Sequence, residues 1–106
     1  MIYVIATIEI VEGRREAFVK AFLANVPNVL AEQGCIEYQP TTDLATEIKA
    51  QPAVRDSVVT IVEKWESLDA LNAHLVAPHM ISYRETVKDL VKGASLQILE
   101  PAASYQ

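Results

Sequence analysis

Between Glu63 and Met80 the chain reads EKWESLDALNAHLVAPHM, a stretch that holds its single tryptophan, Trp65, both of its histidines, His74 and His79, and a carboxylate, Glu63. An imidazole titrates near neutrality, with an unperturbed pKa of about 6.5, and is the side chain best suited to take a proton there. His74 and His79 are therefore the candidate bases. A carboxylate on a buried strand face can orient a histidine or take a proton itself, which makes Glu63 the third candidate; the plainer reading is a strand-edge carboxylate that meets water or an ion pair across a subunit contact. Trp65 offers an aromatic wall for a planar substrate, or simply core. Tyr38 and Tyr83 offer hydroxyl donors to a substrate oxygen, or ordinary amphipathic packing. Arg84 offers a cation for an oxyanion, or a surface salt bridge.

Other chemistries find less support. The two histidines stand five apart with Pro78 between them, not at the i, i+4 spacing that puts two ligands on one helical face, so no metal is expected. Cys35 follows a glycine at the start of a strand pattern with no basic neighbour in sequence to stabilise a thiolate, and reads as a small core residue. No phosphate-binding glycine loop and no nucleophile-elbow serine pattern is present.

These side chains need elements to hold them. Ile2 to Val11 alternates as a strand, with Ile2, Val4, Ala6, Ile8 and Ile10 on one face; the other face, Tyr3, Ile5, Thr7, Glu9 and Val11, is only partly polar and calls for a cover. Arg14 to Gln33 carries a helical stripe of Ala17, Phe18, Ala21, Phe22, Val26, Val29 and Leu30, with a kink or a wide turn at Pro27 and not two separate helices, and Gly34 as its C-cap. Cys35 to Thr42 reads as a second strand with Ile36 and Tyr38 on one face, and Pro40 makes it short or places it at an edge. Asp43 to Arg55 has no period and reads as a long loop of the kind that covers ligand sites.

Ser57 to Trp65 is a third strand, with Val59, Ile61, Glu63 and Trp65 facing one way. Ser67 caps a helix whose stripe is Leu68, Leu71 and Leu75, and Asp69 suits its first turn. On an ideal helix His74 lies roughly 90° from the centre of that stripe, at the border of the buried face. Pro78 breaks the axis, and Met80, Tyr83, Val87, Leu90 and Val91 continue as a second helical stripe closed by Gly93. Ala94 to Leu99 is a fourth strand, and Glu100 to Gln106 a short tail.

The order strand, helix, strand, strand, helix, strand predicts an α+β ferredoxin-like sandwich: a four-stranded antiparallel sheet with its helices on one face. At 106 residues and 51% hydrophobic content, the chain is expected to be one domain spanning residues 1–106. A net charge of −5 and a pI near 4.9 give no reason to expect nucleic acid or an anionic membrane. Nothing approaches the roughly 20 apolar residues of a membrane span, and Glu9 interrupts the apolar N-terminus on a strand period, so that segment reads as structure and not as a signal. One cysteine excludes an internal disulfide and suits the cytoplasm.

The topology, the GCIEY run at Gly34 to Tyr38 and EKW followed by ESLDALNAHLVAPH resemble the antibiotic biosynthesis monooxygenase family, including its quinol monooxygenase-like members, over almost the whole chain. The resemblance implies a homodimer whose two sheets face each other in an α+β barrel, with a pocket in each subunit between sheet and helices. It implies oxidation of a small quinol-like or phenolic substrate by O₂ as co-substrate, with no flavin, haem or metal. The residues ahead of Trp65 are Val62, Glu63 and Lys64, where some members that oxidise polycyclic phenols, and the haem-degrading relatives, carry an asparagine. The latter also place a haem-ligating histidine near the position of Arg84, so haem is not expected. Two further readings stay open: proton-transfer isomerisation of a small carbonyl compound with the same histidines and Glu63, and a non-catalytic ligand-binding dimer.

Overall fold

The computed structural model describes residues 1–103. Four strands, β1 (Ile2–Ile10), β2 (Cys35–Thr41), β3 (Val58–Trp65) and β4 (Val91–Leu99), form one antiparallel sheet in the order β2-β3-β1-β4. Three helices, α1 (Arg15–Leu30), α2 (Leu68–Leu75) and α3 (Pro78–Val87), pack against one side of it. This is the expected ferredoxin-like sandwich, with the second helical region divided in two. The last three residues of the expected tail lie outside the described residues.

Alternation makes the sheet two-faced. On β3, Val59, Ile61, Glu63 and Trp65 are all buried, while Val58, Thr60, Val62 and Lys64 are not. On β1, Val4, Ala6 and Ile10 are buried with them. The helices add Phe18, Phe22 and Val29 from α1, Leu71 from α2, and Met80 and Val87 from α3. Burying such side chains contributes about 1.5 to 3 kcal/mol each, and this shared core fixes the helices over the sheet. Ala17 and Leu30, expected in the α1 stripe, are exposed, because only one side of the helix meets the sheet.

Several boundaries differ from the sequence reading, each for a local reason. Pro27 stays inside α1, as a kink in one helix would have it, but the helix stops at Leu30. The N–H groups of Ala31 and Glu32 then bond back to Pro27 and Val29, and Gly34 serves the turn into β2 at φ +87° instead of capping the helix directly. A bulge between Cys35 and Glu37 throws Ile36 outward, so that it does not share the buried face of Tyr38. β2 lies at the sheet edge, where Pro40 is tolerated.

Ser67 caps α2 as expected, its hydroxyl accepting from the Ala70 N–H at 3.1 Å, a bond worth about 1 kcal/mol. Leu68, the first residue of that helix, faces solvent, and His74 takes its place in the buried face. Pro78 opens α3, where its missing N–H costs nothing. α3 ends at Val87, so Leu90 sits in a turn and Val91 already pairs with Ile10; Gly93 lies inside β4 and closes no helix. Pairing with the full length of β1, across a bulge at Glu9 and Ile10, starts β4 three residues earlier than Ala94.

The 43–55 segment folds on itself. Asp43 accepts two bonds from the Arg55 guanidinium, at 2.8 and 2.9 Å, and one from its backbone N–H. These bonds hold the Asp43 carboxyl at about 2, below the usual carboxylate range.

Gly34 joins two elements at once. Its carbonyl accepts from the Glu66 N–H at 2.8 Å, and a Cβ added to it would stand 2.6 Å from the Ala70 Cβ. Gly13, at φ +79°, would meet nothing within 4 Å. Gly13→Ala is thus expected to cost only the roughly 1 to 2 kcal/mol of a left-handed backbone, and Gly34→Ala clearly more. Urea midpoints of the two variants measure the difference, and equal losses would contradict the packing described.

Candidate active site

The sheet and all three helices line a partly open hollow of about 540 Å³. Its walls are mostly apolar, with Val4, Ala6 and Ile61 from the strands and Phe22, Leu71 and Met80 from the helices. Four polar side chains line the same hollow: Tyr38 from β2, Glu63 from β3, His74 from α2 and Tyr83 from α3. Arg84 and Lys88 stand at its margin. Such a pocket, apolar with a few convergent polar groups, is where a small organic ligand binds.

His74 is 2% exposed, deeper than the border position its helical angle gave. Its Nδ1 lies 2.9 Å from Glu32 Oε2 and 3.2 Å from Oε1. Glu32 stands in the turn after α1. A carboxylate can only accept, so Nδ1 carries the proton and donates. His74 lines the cavity with Nε2 as its remaining nitrogen. Burial pushes its pKa below the ordinary imidazole range, opposed by the bond to Glu32. The ring is therefore a neutral base at physiological pH.

Glu63 is 6% exposed and accepts a 3.0 Å bond from the Trp65 indole N–H. Alternation on β3 puts the two on one face, with Lys64 pointing away between them. Burial raises the Glu63 carboxyl to about 7; the indole bond opposes this and the charge of Glu32 adds to it. Near neutrality Glu63 can hold or give up a proton.

Trp65 is fully buried and stands behind the cavity instead of forming its wall. Its ring lies 4.6 Å from that of His74, so it supports both His74 and Glu63. His79 likewise lies outside the main cavity: its Nε2 reaches the same Glu32 oxygen as His74, at 2.7 Å. Arg84 donates to the Leu75 carbonyl at the end of α2, 2.7 Å away, and forms no salt bridge among the described residues. Tyr38 stacks on Phe22 at 5.1 Å, and Tyr83 meets the same ring edge-on at 5.8 Å. Burial holds both phenols above the tyrosine range, which keeps them hydrogen-bond donors. It also raises the Cys35 thiol to about 11, so no thiolate forms. The 43–55 loop does not line this cavity.

Glu32 escaped the sequence reading. It is 42 residues from His74 and 47 from His79, and no local spacing announces it; only the close packing of the turn after α1 against α2 brings them together.

The sequence pattern of the antibiotic biosynthesis monooxygenase family matches residues 1–86. The chain belongs to that family. It is 42% identical, over 103 residues, to the probable quinol monooxygenase YgiN of Escherichia coli K12, covering 95% of this chain and 98% of that one, and the match to its Shigella flexneri counterpart is the same. The fold resembles that of PA3566 from Pseudomonas aeruginosa, with a TM-score of 0.78 at 24% identity over 96% of this chain and 94% of that one. Rv0793 from Mycobacterium tuberculosis gives 0.77 at 23% identity, covering 99% of this chain and 98% of that one. These two likenesses speak to the fold alone. Family and relatives together place the chain among monooxygenases. Among the described residues no helix is long and apolar enough to cross a membrane, and no group of three or more His, Cys, Asp or Glu is arranged to hold a metal ion.

In this monooxygenase-family chain the raised Glu63 carboxyl has a stability consequence. Its folded pKa of about 7 lies above the 4.5 of an unperturbed glutamate, so its charge adds no cost while both states are protonated. The cost grows as pH rises from about 4.5 to 7, reaching roughly 3 kcal/mol. Glu63→Gln keeps an acceptor for the indole and removes the charge. It is expected to raise Tm at pH 8 by on the order of 10 °C and to leave Tm at pH 4 nearly unchanged, a difference that differential scanning calorimetry reads directly.

Proposed function

We propose that the chain is a cofactor-independent monooxygenase that oxidises a quinol-like or phenolic small molecule with O₂. The observation that supports this most is His74: its Nδ1 is held by Glu32, its ring is kept neutral by burial, and its other nitrogen is left for a ligand in an apolar hollow. O₂ reacts slowly with closed-shell molecules, so without a cofactor the substrate must first become an electron-rich anion. His74 Nε2 takes the hydroxyl proton, and a base of this kind contributes about 10²- to 10⁴-fold. Tyr38 and Tyr83 donate to the resulting oxyanion, and the dry walls keep those bonds strong. One oxygen atom enters the product, and the other leaves as water with the two protons and two electrons of the quinol. Glu63 supplies a second proton-transfer site.

Incubation with a panel of naphthoquinols under ¹⁸O₂ is expected to give one labelled oxygen per product and no turnover under argon. His74→Gln should lower kcat at least 100-fold. Turnover that persists without oxygen excludes the reading.

The pairing of a neutral base, His74, with a half-protonated acid, Glu63, on one cavity also suits proton-transfer isomerisation of a small carbonyl compound. Solvent deuterium in the product without O₂ consumption would favour that reaction.

The same proposal includes a homodimer in the cytoplasm. The sheet face away from the helices carries Tyr3 and Leu99, 37% and 45% exposed and paired across β1 and β4, with the Ile5–Val62 pair next to them. Such a patch calls for a cover, and a second copy supplies a matching one. Cys35, free and alone, suits a reducing compartment. Light scattering should find a particle of twice the 11.7 kDa chain, and Ile5→Arg, at the centre of that face, should halve it. A wild-type monomer at every concentration would remove this part of the proposal.

A further inference from the structure

The chain's two histidines share one carboxylate oxygen of Glu32 and line different hollows. His74 lines the main cavity. His79, its side chain 27% exposed, lines a second, mostly apolar hollow of about 260 Å³ between α1 and α3, to which Asn25, Asn28, Ser82 and Thr86 add polar groups. Tyr83 belongs to both and partitions them. Across the partition runs an unbroken line of hydrogen bonds: His74 Nδ1 to Glu32 Oε2 at 2.9 Å, and the same oxygen to His79 Nε2 at 2.7 Å. His74 packing alone needs only the first of these contacts; the second carries the line to water.

One carboxylate between two imidazoles balances one imidazolium. Protonation of both rings would leave a net positive charge in a partly buried cluster. The other groups that face it are Glu63 from β3, Cys35 and Tyr38 from β2, and Tyr83 and Arg84 from α3. Glu63 is tied to Trp65, and Arg84 adds a further positive charge that opposes a second imidazolium.

Resting on the reading of His74 as the cavity's base, we infer that Glu32 and His79 form the outer half of a proton relay, in which a proton taken up by His74 from the cavity is matched by one released from His79 to water between α1 and α3. The relay starts from a His79 imidazolium paired with the Glu32 carboxylate, with neutral His74 donating Nδ1–H to the same oxygen. When the substrate O–H breaks and His74 Nε2–H forms, His79 loses its Nδ1 proton to a water or buffer base and keeps the electron pair on Nδ1. Glu32 accepts two N–H bonds throughout, and the cluster's charge does not change. Glu32 and His79 are positioning residues: neither touches the substrate.

Because the chain has only two histidines, ¹⁵N-labelled protein gives two sets of ring signals, and the relay can be tested with no substrate at all. In His79→Gln the competing cation is gone, and the His74 midpoint should move upward by about one pH unit or more; in Glu32→Gln it should fall, with loss of the downfield Nδ1–H signal. A His74 midpoint unmoved by His79→Gln, in protein whose circular dichroism matches the wild type, overturns the relay. Where turnover is available, His79→Gln should lower kcat roughly tenfold in dilute buffer with KM unchanged, and millimolar imidazole should restore it. A kcat indifferent to His79→Gln overturns the relay and leaves the oxidation of quinols standing. Failure to find any quinol substrate leaves the titration to decide the relay alone.

Discussion

The arrangement turns on one carboxylate that must be shared. Glu32 cannot satisfy the N–H groups of His74 and His79 unless the turn after α1, the last turn of α2 and the first turn of α3 meet within hydrogen-bonding distance. Leaving His74 buried without that partner would cost on the order of 1 to 3 kcal/mol, so the bond also holds α2 in place against α1. The axis break at Pro78 follows from the same need. An unbroken helix would carry His79 away from Glu32, and the new start at Pro78 aims it back.

The sheet supplies the complementary half. Strand alternation aims Glu63 and Trp65 inward together, and the indole N–H partly offsets the cost of burying the carboxylate. Aromatic rings fill the gap between the two halves: Phe22 receives Tyr38 face-on and Tyr83 edge-on, which fixes both hydroxyl-bearing rings on the rim of one hollow. Titratable groups thus come from separate elements, His74 held by Glu32 and Glu63 by the Trp65 indole.

Much of this was legible in the sequence, and the misses share a cause. The strands of β1 and β3 declare themselves through alternating β-branched residues, and Ser67 and Pro78 mark helix starts by side-chain chemistry that needs no tertiary partner. Glu63 and His74 could be nominated because a carboxylate on an inward strand position and an imidazole beside an apolar stripe are locally conspicuous. Glu32 could not, since its meaning lies in contacts more than forty residues away. Trp65 was readable as cavity wall or as core, and it is core; Leu68 failed as a stripe residue because only packing decides which side of the first helical turn meets the sheet. The start of β4 was missed for a similar reason: Val91 has no strand signal of its own beyond what pairing with Ile10 confers.

The outer margin of β2 has a further consequence. Pro40 has no N–H to offer along that margin, and its carbonyl already accepts from the Gln39 side-chain amide at 3.1 Å. An incoming strand from another molecule would find no donor at that rung and an acceptor already engaged by Gln39, while the bulge at Ile36 spoils the rung pattern farther along. Ribbon-like pairing through this side is disfavoured by covalent structure at Pro40.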